Sequence, residues 1–146
     1  MHSASSSVLL VEDNEAYSYL TRRLLQSINP ALDVHVARDG EEALAFFRRH
    51  RPRLVLLDLV VPSPSGLELL QAMKGNEETA HLPVIVLSGH GDDRRVWSAY
   101  HQYANAFLIK PDAPDDLHAA LVALNDFWFK RVLPSPGTRP VERNPA

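Results

Sequence analysis

The stretch VLLVED, residues 8–13, joins an apolar run directly to two adjacent carboxylates. The run from Val8 to Val11 contains only valine and leucine, which is typical of a strand buried on both faces. Glu12 and Asp13 then lie side by side at the rim of that strand, where they repel each other unless a cation lies between them. The stretch therefore raises the question of which cation these two acids bind.

The composition excludes several classes of protein. The chain has 146 residues, 45% hydrophobic and 23% charged, as expected of one globular domain. A net charge of −3 favours neither a nucleic-acid partner nor an anionic membrane. The absence of cysteine excludes disulfides and thiolate metal sites, and no apolar run is long enough to be a signal core or a membrane span. We expect a cytoplasmic protein with a polar leader at 1–6, a domain at 7–132 and a proline-rich tail at 133–146.

Short apolar runs alternate with segments of helical periodicity along the domain. After the first run, strands are predicted at 33–37, 54–57, 83–87 and 106–109, and helices at 15–28, 41–50, about 67–75, 92 or 93 to 103, and from 112–114 to about 132. This alternation predicts an α/β fold, a doubly wound five-stranded parallel sheet flanked by five helices. Ligands of such sheets bind at the carboxyl ends of the strands.

Polar side chains occur where four of the predicted strands end. Glu12 and Asp13 follow the first strand, Asp58 the third, Ser88 the fourth and Lys110 the fifth. Because parallel strands end at one edge of the sheet, these groups are expected to share one pocket. Three close carboxylates raise one another's pKa unless a divalent cation neutralises them, and oxygen ligands suit Mg²⁺ or Mn²⁺. The predicted cation between the acids is therefore a metal ion.

Lys110 and Ser88 indicate a second requirement of the pocket, an anion. A phosphoryl group on Asp58 would supply it, since a carboxylate is a competent nucleophile for forming an acyl phosphate. Lys110 and the metal would neutralise the phosphoryl oxygens, and the Ser88 hydroxyl would donate a hydrogen bond to one of them.

Four motifs in order carry a resemblance to a known family. The stretches VLLVEDN, LVLLDLVVPSPSG, PVIVLSGH and AFLIKP resemble those of response-regulator receiver domains, over about residues 6–130. The resemblance implies the flavodoxin-like (CheY-like) strand order 2-1-3-4-5. It also implies that Asp58 accepts a phosphoryl group from a sensor histidine kinase, in a protein that acts as a switch and not as an enzyme.

The same resemblance assigns roles to other residues of this chain. Asp13 and Asp58 would bind the metal, with Glu12 binding through water and Val60 through its backbone carbonyl. Ser88 would move inward on phosphorylation, and Phe107 takes the position of an aromatic switch, although its place beside an apolar strand is equally typical of a core residue. His90, two residues past Ser88, is either a surface residue or an influence on the hydrolytic water.

A narrower resemblance concerns the partners. ETAHLPVIVLSG, AYHQYANAFLIKP and FWFKRVLP are similar to stretches of single-domain regulators paired with phytochromes, which implies a bacteriophytochrome kinase and a homodimer. The last predicted helix has one face of regularly spaced apolar residues. Three further apolar residues lie outside that face and are candidate dimer contacts: Phe127, Phe129 and Leu133. The alternative is that the tail folds back and covers them.

The sequence leaves three alternative functions open. A degenerate receiver would bind partners without phosphorylation, although retention of the whole acidic, serine and lysine set argues against this. An aspartyl-phosphate hydrolase usually needs a second acid two residues past the nucleophile, where this chain has Val60. A flavodoxin-like nucleotide-binding protein is disfavoured because no glycine-rich loop follows the first strand.

Overall fold

The predicted parallel sheet is present in the structure. The computed structural model describes residues 7–58, 66–89 and 104–131. Its five strands are β1 (Ser7–Val11), β2 (Asp33–Ala37), β3 (Leu54–Asp58), β4 (Val84–Ser88) and β5 (Ala106–Ile109). All pairings are parallel and the order is β2-β1-β3-β4-β5. Strand β4 lies one residue later than predicted, so that Ser88 is its last residue.

Four helices flank the strands in the described part of the chain. They are α1 (Glu15–Ile28), α2 (Gly40–Phe47), α3 (Gly66–Lys74) and α4 (Pro114–Asn125), and the helix predicted to end at 103 lies outside the described residues. Helix α1 begins where predicted because the Asn14 side chain caps it, accepting a hydrogen bond from the backbone N–H of Tyr17 at 2.9 Å. Asp39 caps α2 in the same way.

Alternate residues of the central strands face two separate apolar cores. Leu9, Leu57 and Val86 belong to the core under α2 and α3, while Leu10, Leu56 and Ile85 belong to the core under α1 and α4. Strands β1 and β3 are buried along their full length, because both of their faces are covered. The rigid centre of the sheet therefore sets the position of whatever follows these two strands.

The end of the last helix differs from the prediction of one continuous α-helix. The α-helix stops at Asn125, and Asp126–Arg131 is a π-helical segment. Because π-helical hydrogen bonds join residues five apart, Phe129 lies on the side of Leu124. Phe129 is accordingly half-buried against the core under α1 and α4, with the Arg53 guanidinium 5.2 Å from its ring centroid. Of the candidate dimer contacts, Phe129 is therefore partly covered by the chain itself, whereas Phe127 is 53% exposed.

Candidate functional site

The strand register brings the predicted polar groups to one edge of the sheet. Val11 is paired with Leu57, so Glu12 follows β1 at the level of Asp58, the last residue of β3. Ser88 is paired with Ile109, so Lys110 follows β5 just beyond Ser88. The sheet thus collects groups that are far apart in sequence, as the strand-end pattern predicts.

The two adjacent acids face different environments. Glu12 is only 1% exposed, whereas Asp13 is exposed. The backbone N–H of Glu12 donates to the Ala37 carbonyl at 2.9 Å, which extends the β1–β2 pairing by one step. Its Oε2 atom accepts a hydrogen bond from the Asn14 backbone N–H at 3.0 Å. Glu12 is therefore held inside the site, and Asp13 lies at its mouth.

The cation that separates the buried acids in this structure is an ammonium. Lys110 Nζ lies 2.8 Å from Glu12 Oε1 and 3.1 Å from Asp58 Oδ2, so one side chain bridges both carboxylates. The prediction assigned Lys110 to an incoming anion and the acids to a metal. The structure adds that Lys110 itself compensates the charges of Glu12 and Asp58, because a buried carboxylate is costly without a partner.

Burial and pairing shift the protonation of this cluster. Burial raises the pKa of Glu12 to about 6; the Lys110 ammonium and the Asn14 N–H counteract this effect, and the neighbouring Asp58 adds to it. For Lys110, burial acts to lower the pKa, but the hydrogen bond with Glu12 and the charge of Asp58 outweigh it, and the net pKa is raised. Lys110 is therefore charged at neutral pH.

Tyr17 forms a wall of the site that the sequence analysis missed. Its ring centroid lies 4.3 Å from Lys110 Nζ, and its hydroxyl donates to the Pro111 carbonyl at 3.3 Å. Burial, chiefly, raises the pKa of Tyr17 to about 12, so its hydroxyl keeps its proton at neutral pH. The helical pattern placed Tyr17 among the apolar residues of α1. Its position in the first turn of α1, four residues past Asp13, was the available signal.

The carboxylates fit a divalent cation of the Mg²⁺ type. One oxygen from each of Glu12, Asp13 and Asp58 lies within 4.8 Å of the others, and this is the one such group found among the described residues. Two oxygens on opposite sides of a Mg²⁺ ion are roughly 4 Å apart. All three donors are carboxylate oxygens, and Asp13 lies at the mouth of the site, where water has access. This matches the preference of Mg²⁺ for a few carboxylates together with several water ligands.

The remaining predicted residues are only partly described. Phe107 lies within β5, half-buried against the core under α2 and α3. Val60, His90 and Leu133 lie outside the described residues. Among the helices that are described, none combines the length and apolar character needed to cross a bilayer.

Comparison with known sequences identifies one family, that of response regulator receiver domains. The response regulator receiver domain matches residues 8–122. The chain is 35% identical to the probable methanogenesis regulatory protein FilR2 of Methanothrix harundinacea over 128 residues, which is 84% of this chain and 83% of that protein. It is 32% identical to the response regulator Rcp1 of Synechocystis sp. over 132 residues, 86% of this chain and 90% of that protein.

Solved structures agree in fold. The phosphorylated cyanobacterial phytochrome response regulator RcpA superposes with a TM-score of 0.80 at 28% identity, covering 89% of this chain and 98% of that one. The Mn²⁺-bound form of Rcp1 superposes with a TM-score of 0.74 at 31% identity, covering 88% of this chain and 98% of that one. Both likenesses cover nearly nine tenths of this chain.

Proposed function

This chain belongs to the response regulator receiver domain family, and we propose that it is a phosphorylation switch of two-component signalling in which Asp58 accepts the phosphoryl group. The observation that carries the proposal is the contact of a buried Asp58 carboxylate with the Lys110 ammonium at 3.1 Å, at the edge where Glu12 and Asp13 supply further oxygens. A nucleophile, a cation and a metal-type oxygen set thus meet at one strand end.

The proposed reaction is a transfer between two nucleophiles. An oxygen of Asp58 forms a bond to the phosphorus of a phosphohistidine, and the bond from phosphorus to the imidazole nitrogen breaks with its electron pair leaving on the nitrogen. Lys110 then exchanges a carboxylate contact for a phosphoryl oxygen, which its three N–H donors permit. Ser88, the last residue of β4, is the proposed hydroxyl donor to the phosphoryl group, and Phe107 the aromatic group that repacks afterwards.

Mg²⁺ or Mn²⁺ is the proposed cofactor. Asp13 and Asp58 would hold the ion, with Glu12 contributing through water and Val60 through its carbonyl. When bound, the ion supplies positive charge against the oxygens of the transferring group. Rcp1, a relative of this chain, has been solved in a Mn²⁺-bound form, which supports the choice.

The proposed partner is a sensor histidine kinase, and specifically a bacteriophytochrome. RcpA is a cyanobacterial phytochrome response regulator, and this supports the pairing for a chain that matches it over 89% of its length. The role is that of a switch and not of an enzyme that turns over a substrate. A phosphorylated bacteriophytochrome kinase should transfer its label to this chain much faster than an unrelated histidine kinase does.

The direct test is uptake of phosphoryl from acetyl phosphate. With Mg²⁺ we expect a single phosphoryl addition by intact mass, and none when EDTA removes the metal. No addition with either acetyl phosphate or the kinase, under conditions that label another receiver, would contradict the proposal and favour a phosphorylation-independent binding module.

Metal affinity should depend on pH in the range set by Glu12. Because the pKa of Glu12 is about 6 in the metal-free protein, a proton competes with Mg²⁺ as the pH falls below that value. We expect the Kd for Mg²⁺ to rise about tenfold from about pH 7 to about pH 5, with protons released on binding. Calorimetric titration in buffers of different ionisation enthalpy measures both quantities.

The matched variant for this prediction is Glu12→Gln, which cannot ionise. It should bind Mg²⁺ more weakly at neutral pH, and its affinity should change much less across the same range. If the Kd for Mg²⁺ changed equally with pH in both proteins, protonation of Glu12 would not be the cause of the pH dependence.

A homodimer is the proposed assembly, formed through the last helix with Phe127, Phe129 and Leu133 as contacts. The 53% exposed ring of Phe127 supports this, and Ile109 on the edge strand β5 is 63% exposed. Phe127→Glu should weaken the dimer at least about tenfold by sedimentation equilibrium, whereas Tyr19→Glu, at a 64% exposed position of α1, should not. A monomeric wild type at high concentration would contradict the proposal.

A further inference from the structure

The ammonium of Lys110 is enclosed by three groups of different chemistry. Glu12 Oε1 lies at 2.8 Å, Asp58 Oδ2 at 3.1 Å and the ring centroid of Tyr17 at 4.3 Å. The two carboxylates attract the charge directly, and the face of an aromatic ring attracts a cation through its quadrupole. The Tyr17 ring is the one neutral group of the three. It therefore holds the ammonium without a negative charge that would compete with the phosphoryl oxygens for Lys110.

Tyr17 also holds the backbone that carries the lysine. Its hydroxyl donates to the carbonyl of Pro111, the residue next to Lys110, at 3.3 Å. Tyr17 belongs to α1, directly after the acidic residues, whereas Pro111 follows β5. One side chain thus joins the segment that bears Glu12 and Asp13 to the segment that bears Lys110.

We propose that Tyr17 is a positioning residue that holds the Lys110 ammonium against Asp58, its ring fixing the charged group and its hydroxyl fixing the chain at Pro111. The expected effect on the rate of phosphorylation rests on the proposed function of Asp58 as phosphoacceptor. The contact of Tyr17 with Lys110 does not depend on that function. Without Tyr17 the ammonium keeps Glu12 as a partner and loses the contacts that keep it facing Asp58. Phosphoryl acceptance then slows, because the cation is no longer in place when negative charge develops.

Two substitutions separate the ring from the hydroxyl. Tyr17→Phe keeps the aromatic face and loses the bond to Pro111, whereas Tyr17→Leu loses both and keeps an apolar side chain for the core. We expect the rate of phosphorylation by acetyl phosphate to fall about tenfold in Tyr17→Leu, as the loss of a partly buried cation–π contact implies. Tyr17→Phe should lose about two- to threefold, since one long neutral hydrogen bond is worth little.

The matched control is Tyr19→Leu, the same substitution two residues along α1. Tyr19 is 64% exposed, and its ring contacts Arg23, outside the site. This variant should be phosphorylated at the wild-type rate. Urea titration of all the variants excludes a general loss of fold as the cause of any change.

A second readout reports on Lys110 without phosphorylation. Acetylation by an amine-reactive ester, mapped by peptide mass, should modify Lys110 several times faster in Tyr17→Leu than in wild type, with Tyr17→Phe close to wild type. Lys74, whose ammonium donates to the carbonyls of Ala80 and Leu82, is the internal control and should react equally in all variants.

The possible outcomes are distinct. Faster Lys110 acetylation together with slower phosphorylation in Tyr17→Leu, with both rates much closer to wild type in Tyr17→Phe, supports the positioning role. Slower phosphorylation with unchanged Lys110 acetylation, or no change in either, overturns it. If the wild type takes up no phosphoryl group, the proposed function fails, and the acetylation rates alone still decide whether Tyr17 positions Lys110.

Discussion

Asp58→Asn should take up no phosphoryl group from acetyl phosphate or from a kinase, while the wild type takes up one. The carboxamide nitrogen and oxygen are not competent nucleophiles for acyl phosphate formation, and the amide has nearly the shape of the carboxylate. Asp58 is 6% exposed as the last residue of β3, so the substitution removes the reactive oxygen with little change in packing. Intact mass with Mg²⁺ present measures the result.

The matched control for that variant is Asp33→Asn. Asp33 begins β2 at the opposite end of the sheet, is exposed and contacts His35, so it should be labelled like the wild type. Full labelling of Asp58→Asn would contradict the proposal and would place the acceptor at another carboxylate, with Asp13 the first to test because it lies at the mouth of the same site.

Lys110→Met should destabilise the protein by about 3 kcal/mol near pH 8, because removing one partner of a buried ion pair leaves an uncompensated charge. Lys110 contacts both Glu12 and Asp58, and the Glu12 side chain is 0% exposed. Without the ammonium, the pKa of Glu12 should rise further above about 6. The folded state then binds more protons than the unfolded chain at mildly acidic pH, so its stability increases as the pH falls.

The loss in Lys110→Met should therefore shrink toward about pH 5, where Glu12 is protonated, and should also shrink on addition of Mg²⁺. Urea titrations at the two pH values, with and without Mg²⁺, measure this. Lys74→Met is the control, since Lys74 donates to backbone carbonyls and its loss leaves no carboxylate behind. A cost in Lys110→Met that does not depend on either pH or Mg²⁺ would mean that the ammonium contributes by packing alone.

Local patterns in the sequence predicted much of the fold. The bounds of α1, β2 and β5 agree with the prediction, because the apolar runs and the helical periodicity that predicted them are local signals. The π-helical end of the last helix was not predicted, since α-helical and π-helical winding place the same apolar residues on different faces and packing against the core decides between them.

The sequence by itself determined which chemical groups stand at the ends of the strands, because a polar residue directly after a buried strand must lie at the sheet edge. The tertiary structure decided how those groups are paired. The local pattern treats Glu12 and Asp13 alike, but only Glu12 turns inward, and there it meets Lys110 from the far edge strand and Tyr17 beneath the ammonium. Such contacts join residues about a hundred positions apart, and their distances depend on how the helices and strands pack together, which no local period records.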